Sequence, residues 1–191
     1  MKVLLTGAFG NLGLMVIREL RRRGIAVRCT DLPSARNRRA ARAHEGTVEI
    51  AWGDIRDAAW LAAQLEDVDA VIHLAGLLPP ATENQPELAE AVNVTATKQL
   101  VAAMARSSRQ PLLLYPSSLT VFGVTRTQQP PRKASDPVVA TDAYTRHKLA
   151  VEDHLAASSI PWARAEAPVS IAAAAVAISR GSAARVMVLK K

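Results

Sequence analysis

Three glycines at a spacing of three residues lie close to the start of the chain, in the segment TGAFGNLG at positions 6–13. The apolar run VLL precedes this segment. A strand, a glycine turn and a helix N-terminus together form an anion site, because free backbone N–H groups and the positive end of the helix dipole face one point. We therefore predict that Gly7 makes the tight turn, that Gly10 lets the backbone approach a pyrophosphate, and that Gly13 lets the helix pack close to the strand.

The remainder of the chain alternates short β-like runs with longer helical stretches, which is the pattern of βαβ units. The predicted fold class is α/β, a Rossmann-type doubly wound parallel sheet with helices on both faces. Strands are predicted at 2–6, 25–30, 47–52, 69–76 and 111–118, with a further candidate at 160–169. Helices are predicted at 11–23, 34–44, 57–65, 86–105 and 142–157, with Ser34 and Asp57 as helix caps.

The length of 191 residues favours one domain. We predict that residues 1–168 form a dinucleotide-binding Rossmann domain. Residues 169–191 are alanine-rich and compatible with a last helix and strand of the same domain. A polar, proline-bearing segment at 124–141 is predicted to be a loop that faces the substrate.

Charge and cysteine content exclude several classes of function. The formal net charge is +7, and nine arginines lie between positions 18 and 42. No cluster of aromatic residues accompanies them, so a solvated basic surface is favoured over a nucleic-acid site. The single cysteine, Cys29, permits no internal disulfide and fits a reducing compartment. We expect a cytoplasmic protein with no membrane segment and no metal site.

Acidic residues after the second and third strands bear on the choice of dinucleotide. Asp31 stands about 20 residues beyond the glycine turn, where a carboxylate accepts from the ribose 2′-OH of NAD and repels the 2′-phosphate of NADP. NAD is therefore favoured, although nearby arginines such as Arg36 leave NADP open. In the segment GDIRD at 53–57, Asp54 is a candidate acceptor for the adenine amino group and Ile55 a candidate for packing on the ring.

Tyr144 and Lys148 stand four residues apart on one predicted helix, so they share a face. A lysine ammonium beside a phenol stabilises the phenolate and lowers the phenol pKa, so that the pair can work as a general acid and base. The serines of PSSLTVFG at 116–123 end the preceding strand, where a side chain faces the ligand crevice of a doubly wound sheet.

With these motifs in order, the chain resembles the extended short-chain dehydrogenase/reductases, in particular the NAD-dependent epimerase/dehydratase group that acts on nucleotide sugars. The resemblance runs from residue 1 to residue 168. The motifs that carry it are TGAFGNLG, Asp31, GDIRD, VIHLAG at 71–76, NVTAT at 93–97, PSSLTVFG and YTRHK at 144–148.

The resemblance implies an oxidoreductase that transfers hydride at a hydroxyl or carbonyl carbon of a small molecule, with a nucleotide sugar as the expected class and a homodimer as the expected assembly. It implies that Ser118 is the catalytic serine, that Tyr144 is the acid/base, and that Lys148 binds the nicotinamide ribose. The implied cofactor-binding residues, besides those already given, are Phe9, Asn11, Leu12, Leu74, Ala75, Gly76, Asn93 and Pro168.

The chain departs from the family pattern in three places. Phe122 replaces the usual tyrosine, and Arg146 and His147 replace residues that are commonly small. Only about 20 residues follow Pro168, where the family continues into a substrate domain. A different kind of function therefore stays open at this point, namely a dinucleotide-binding sensor or scaffold without turnover. Intact Tyr144 and Lys148 favour the enzyme.

Overall fold

Six parallel strands form one sheet in the order β3-β2-β1-β4-β5-β6 in a computed structural model that describes residues 1–123 and 136–165. The strands are β1 (Lys2–Thr6), β2 (Ala26–Asp31), β3 (Glu49–Trp52), β4 (Ala70–His73), β5 (Leu112–Pro116) and β6 (Trp162–Ala165). The strand order reverses between β1 and β4, so the carboxyl ends of these two strands diverge and open a crevice. This topology confirms the predicted fold class.

Helices cover both faces of the sheet. They are α1 (Asn11–Arg22), α2 (Ala35–Ala41), α3 (Ala58–Ala63), α4 (Ala81–Asn84), α5 (Pro86–Glu90), α6 (Ala96–Arg106) and α7 (Ala143–Ala156). Short 3₁₀ turns lie at Arg42–His44 and Leu119–Phe122, and a π-helical turn at Ala91–Thr95 joins α5 to α6. Ser34 caps α2 and Asp57 caps α3, as predicted.

The two cores follow from the alternation of side chains along the strands. Val3 and Leu5 of β1 face the core beneath α1 and α2, which also holds the buried Cys29. Leu4 faces the opposite core beneath α3, α6 and α7. Apolar residues on both faces are what a parallel strand covered on two sides requires.

The sequence predicts one long helix at 86–105, whereas the structure interrupts this helix with the π-helical turn. Within this turn the Asn93 carbonyl accepts a hydrogen bond from the Thr97 hydroxyl, and the Asn93 side chain reaches the backbone of Leu77. Apolar periodicity detects the helix but not a local widening that depends on contacts with a distant loop. The predicted strand at 160–169 is β6 over four residues, and residues 166–191, including Pro168 and the predicted tail, lie outside the described residues.

A buried histidine ties β1, β4 and α6 together. The Thr6 hydroxyl accepts from the Ala75 N–H, at 3.2 Å, and donates to His73 Nδ1, at 2.8 Å, because the neutral ring carries its one N–H hydrogen on Nε2. His73 Nε2 lies 3.0 Å from the Thr97 hydroxyl, whose own hydrogen is given to Asn93 O, so Nε2 is the protonated nitrogen. Burial, and to a lesser degree the charge of Lys148, lowers the pKa of His73 to about 3.

We predict an acid-sensitive stability that originates at His73. An unfolded histidine takes up a proton below its usual pKa of about 6.5, whereas His73 stays neutral down to about 3, so the free energy of unfolding falls as the pH falls. Between pH 7 and pH 5 this contribution is about 2 kcal/mol. Urea unfolding at both pH values measures it, with His73→Gln as the comparison. An equal pH dependence in both proteins would contradict the assignment.

Candidate active site

A cleft of about 710 Å³ opens at the carboxyl edge of the sheet, where β1 and β4 diverge. The turn after β1, the ends of β2 and β5, and the loops after β3 and β4 all contribute to it, with α7 closing one side. The cleft brings together most of the residues that the sequence singled out: Gly7, Gly10, Asn11, Leu12, Gly13, Asp31, Asp54, Ile55, Leu74, Ala75, Gly76, Asn93, Tyr144 and Lys148.

The glycine turn is held against its neighbours by backbone contacts that leave no room for a side chain. Gly7 has φ +62°, and a Cβ there would lie 2.7 Å from Ala75 N in the loop after β4. A Cβ on Gly13 would lie 2.3 Å from Ala8 O, which is inside the turn itself. Gly7 therefore permits the turn, as predicted, whereas Gly13 permits the first turn of α1 to pack against this turn and not against the strand.

Gly10 is different because its missing side chain faces space. A Cβ there would meet only Gly7 O, at 3.4 Å, among the described atoms within 4 Å, and the residue lines the cleft. Gly10 is the N-cap of α1, so the free N–H groups of the first helical turn are not masked by a capping side chain. The turn thus presents donors and the positive end of a helix dipole to the cleft.

Two alanine substitutions should separate packing from ligand binding in this turn. Gly13→Ala should lower the free energy of unfolding by about 2 kcal/mol or more, because backbone oxygens must move. Gly10→Ala should lower it by no more than about 1 kcal/mol, the cost of placing Ala instead of Gly at an N-cap. Its added methyl group should nevertheless weaken NADH binding at least tenfold. Urea unfolding and fluorescence titration with NADH measure the two effects, and a Gly10→Ala protein with wild-type affinity would argue against an anion site here.

Asp31 is fixed by donors from three directions. Its Oδ2 accepts from the Phe9 N–H at 2.9 Å, and its Oδ1 accepts from the Leu32 N–H and from the Asn37 amide, each at 2.9 Å. Burial raises the pKa of Asp31, and the two backbone hydrogen bonds oppose that rise. The carboxylate stands in the cleft wall beside Arg36, whose guanidinium lies 3.4 Å from Asn11 Oδ1.

The GDIRD segment contributes one paired carboxylate and one apolar side chain. Arg56 donates from Nε to Asp54 Oδ2 at 2.9 Å, and this side-chain hydrogen bond lowers the pKa of Asp54. Ile55 is buried and reaches both the cleft and the core beneath α3. Asp54 is therefore an acceptor already engaged by a neighbouring arginine, which the sequence pattern did not show.

Tyr144 and Lys148 project from the first two turns of α7 toward the end of β5. Lys148 Nζ donates to Pro116 O at 2.8 Å and lies 4.3 Å from the ring centre of Tyr115 and 5.7 Å from that of Tyr144. Burial lowers the pKa of Lys148 to about 8, against the opposing charge of Glu152. A carbonyl and two aromatic faces thus receive the ammonium in place of water.

The pKa of Tyr144 is higher than the sequence pattern led us to expect. Burial raises it above its usual value, a hydrogen bond with Ser118 lowers it, and Asp142 raises it further. The lowered pKa that the spacing of Tyr144 and Lys148 predicted is therefore not found, because burial outweighs the hydrogen bond with Ser118. In this arrangement the phenol holds its proton at neutral pH.

A network that sequence reasoning missed lies beneath this pair. Glu152 Oε1 accepts from the Ser117 hydroxyl at 2.5 Å, and its Oε2 lies 3.2 Å from Arg164 Nη1 of β6. The side chain is only 13% exposed, so the ion pair is largely desolvated. The only signal in the sequence was that Glu152 follows Lys148 by one helical turn.

Among the described residues, two predicted site residues, Phe9 and Ser118, stand apart from the main cleft. The Phe9 ring is buried against Trp52, with 5.1 Å between ring centres, so only its backbone N–H serves the site, through Asp31. Ser118 lines a small adjoining cavity and accepts from the Thr120 N–H while contacting Tyr144. Pro168 lies outside the described residues. Cleft residues that the sequence did not suggest include Asn37, Leu77, Thr97, Tyr115 and His147.

Residues 3–160 match the model of the NAD dependent epimerase/dehydratase family. The chain belongs to this family. The match spans the glycine turn, the strands β1 to β5 and the helix that carries Tyr144 and Lys148.

Named relatives agree with this membership. The chain is 32% identical over 135 residues to D-erythronate dehydrogenase of Cupriavidus necator, covering 64% of this chain and 40% of that protein. It superposes with a TM-score of 0.76, at 28% identity, on UDP-glucose-4-epimerase from Stenotrophomonas maltophila with bound NAD and formylated UDP-arabinopyranose, covering 87% of this chain and 52% of that one. The Bordetella bronchiseptica enzyme WbmH in complex with NAD+ gives a TM-score of 0.73 at 25% identity, covering 86% and 55%.

The chain thus spans about half the length of these relatives or less. Within the described part of the chain, no helix combines the length and the apolar character that crossing a bilayer needs.

Proposed function

We propose that this chain carries the cofactor site and the catalytic group of an NAD-dependent oxidoreductase, which moves hydride at a hydroxyl or carbonyl carbon of a polyhydroxylated small molecule. The observation that carries the proposal is a single cleft with two different ends. The glycine turn and Asp31 stand at one end, and Tyr144 and Lys148 stand at the other. A dinucleotide is the ligand class that needs an anion site, a ribose acceptor and a reactive end in one crevice.

The residues present fit that cofactor. The open side of Gly10 leaves room for a pyrophosphate against the first turn of α1, whose free N–H groups hold the negative charge. Asp31, already oriented by Phe9 and Asn37, accepts from ribose hydroxyls. When bound, NAD supplies the nicotinamide carbon that takes up or releases the hydride.

The proton is handled by the chain itself. Tyr144 gives its phenolic proton to the substrate oxygen in the reducing direction, which suits a group whose pKa is raised. Ser118, hydrogen-bonded to Tyr144, orients that oxygen. Lys148, whose ammonium is held by the Pro116 carbonyl, binds the nicotinamide ribose.

The substrate class is narrowed by the relatives. One acts on D-erythronate and another holds a UDP sugar, so both handle compounds with several hydroxyl groups. We propose a substrate of that chemistry, with nucleotide sugars as the first class to test. The cytoplasmic location and the homodimer stay predictions.

Replacement of Tyr144 by Phe tests the catalytic assignment. Turnover should fall at least about a hundredfold, as the loss of a general acid/base does, while the dissociation constant for NADH stays within twofold. The assay follows nicotinamide absorbance with UDP-glucose, D-erythronate and related polyols, and binding is measured by fluorescence titration. Ser118→Ala is the companion variant, and its turnover should fall less than that of Tyr144→Phe. Full activity in Tyr144→Phe would remove the tyrosine from the mechanism.

Replacement of Asp31 by Ser tests the choice of dinucleotide. The wild-type chain should bind NADH more tightly than NADPH, because a carboxylate accepts from ribose hydroxyls and repels a phosphate. Asp31→Ser should weaken NADH binding about tenfold. It should also reduce the preference for NADH over NADPH, because Arg36 can then pair with the 2′-phosphate without a competing carboxylate. The double variant Asp31→Ser, Arg36→Ala should bind NADPH more weakly than Asp31→Ser does. Tighter NADPH binding by the wild-type chain would contradict the assignment of NAD.

A further inference from the structure

The Asn93 side chain fastens the π-helical turn to the loop after β4. Its Oδ1 accepts from the Leu77 N–H at 2.7 Å, and its Nδ2 donates to the Leu77 carbonyl at 2.9 Å. This two-point contact allows only one orientation of the amide, since a reversed amide would set donor against donor and acceptor against acceptor. One N–H of the amide is left over, and it is directed at α7.

That remaining N–H fixes the protonation of a histidine in the cleft wall. His147 Nδ1 lies 3.3 Å from Asn93 Nδ2 and must accept, so it carries no hydrogen. The other ring nitrogen, Nε2, lies 3.0 Å from Glu90 Oε2 and donates to that carboxylate. The imidazole is 11% exposed, whereas the Glu90 side chain is 57% exposed, so the ring is anchored between a buried amide and a surface carboxylate.

Both ring nitrogens of His147 are therefore occupied, and neither is available to exchange a proton with a ligand. The residue follows Tyr144 by three positions, so it shares that residue's face of the helix, and it lines the cleft together with Tyr144 and Lys148. The hydrogen bonds join α7, the π-helical turn and the loop after β4, which are three walls of the same cleft. A small residue at this position would leave the spare amide N–H of Asn93 without this acceptor.

We propose that His147 is a positioning residue: as the neutral Nε2–H tautomer it locks the Asn93 amide onto Leu77 and so holds the catalytic helix against the cofactor loop before a ligand arrives. The proposal rests on the proposed function in taking that ligand to be a dinucleotide. A wall already in its bound arrangement costs less to order on binding, so the lock contributes to affinity without touching the ligand.

A double-substitution cycle tests the route through Asn93. The dissociation constant for NADH is measured by fluorescence titration for the wild-type chain, His147→Ala, Asn93→Ala and the double variant. His147→Ala should weaken binding about tenfold on the wild-type background and by less than twofold when Asn93 is already Ala. His147→Gln should restore binding to within about threefold, because its carbonyl can accept from Asn93 while its amide donates to Glu90. Equal effects of His147→Ala on both backgrounds would overturn the proposal.

His154→Ala is the matched control, because His154 lies on the same helix two turns further on and outside the cleft lining. It should leave the NADH affinity unchanged. A similar loss in this variant would assign the effect of His147→Ala to general damage of the helix and would overturn the positioning role. Circular dichroism of each variant shows whether the fold is retained.

The tautomer is tested without any cofactor, by ¹⁵N-edited NMR of the histidine rings in the ligand-free chain. The chain has four histidines, and His147→Gln identifies the signals of His147 by their loss. The wild-type chain should show the signals of an Nε2–H tautomer. In Asn93→Ala these signals should shift toward an average of the two tautomers, which would support the lock. An Nδ1–H tautomer, or signals unchanged in Asn93→Ala, would overturn it. A wild-type chain that binds no NADH would overturn the proposed function alone, and the NMR result would then decide the assignment of His147.

Discussion

The close backbone approach between the turn after β1 and the loop after β4 is the constraint on which the site depends. Gly7 stands at φ +62° with the Ala75 backbone where a side chain would be, and Gly13 brings α1 into the same contact. Because β1 and β4 are neighbours and their connections leave in opposite directions, the helix N-terminus and the loop meet at the edge of a crevice. A larger residue at either glycine would force apart the surfaces that form the cleft.

Buried polar side chains carry this geometry across the cleft. One chain of hydrogen bonds runs from the Ala75 N–H through Thr6, His73 and Thr97 to the Asn93 carbonyl. In a dry interior each of these groups would destabilise the fold if left unpaired, so the neutral His73 is as much a part of the architecture as the apolar core. The buried ammonium of Lys148 is likewise stabilised by the Pro116 carbonyl, by aromatic faces and by the nearby Glu152 carboxylate.

Local features were predictable and non-local ones were not. The caps at Ser34 and Asp57 and the turn at Gly7 follow from backbone preferences within a few residues, and the structure contains all of them. The π-helical turn, the Glu152 network and the acceptor role of His147 depend on partners 16, 35 and 54 residues away. Apolar periodicity carries no information on partners so far apart in the sequence, and these contacts are visible only in the folded chain.

The sequence by itself determined the alternation of strands and helices and the glycine turn with its helix N-terminus, because dihedral preferences and apolar periodicity act along the chain, and its motifs predicted the family that the match confirms. The tertiary structure alone decided which of these residues meet and in what state of charge. Tyr144 and Lys148 share a helical face by spacing, yet burial is the largest cause of the shift in the pKa of each. Desolvation is a property of the packed whole, so four residues of spacing cannot fix a pKa.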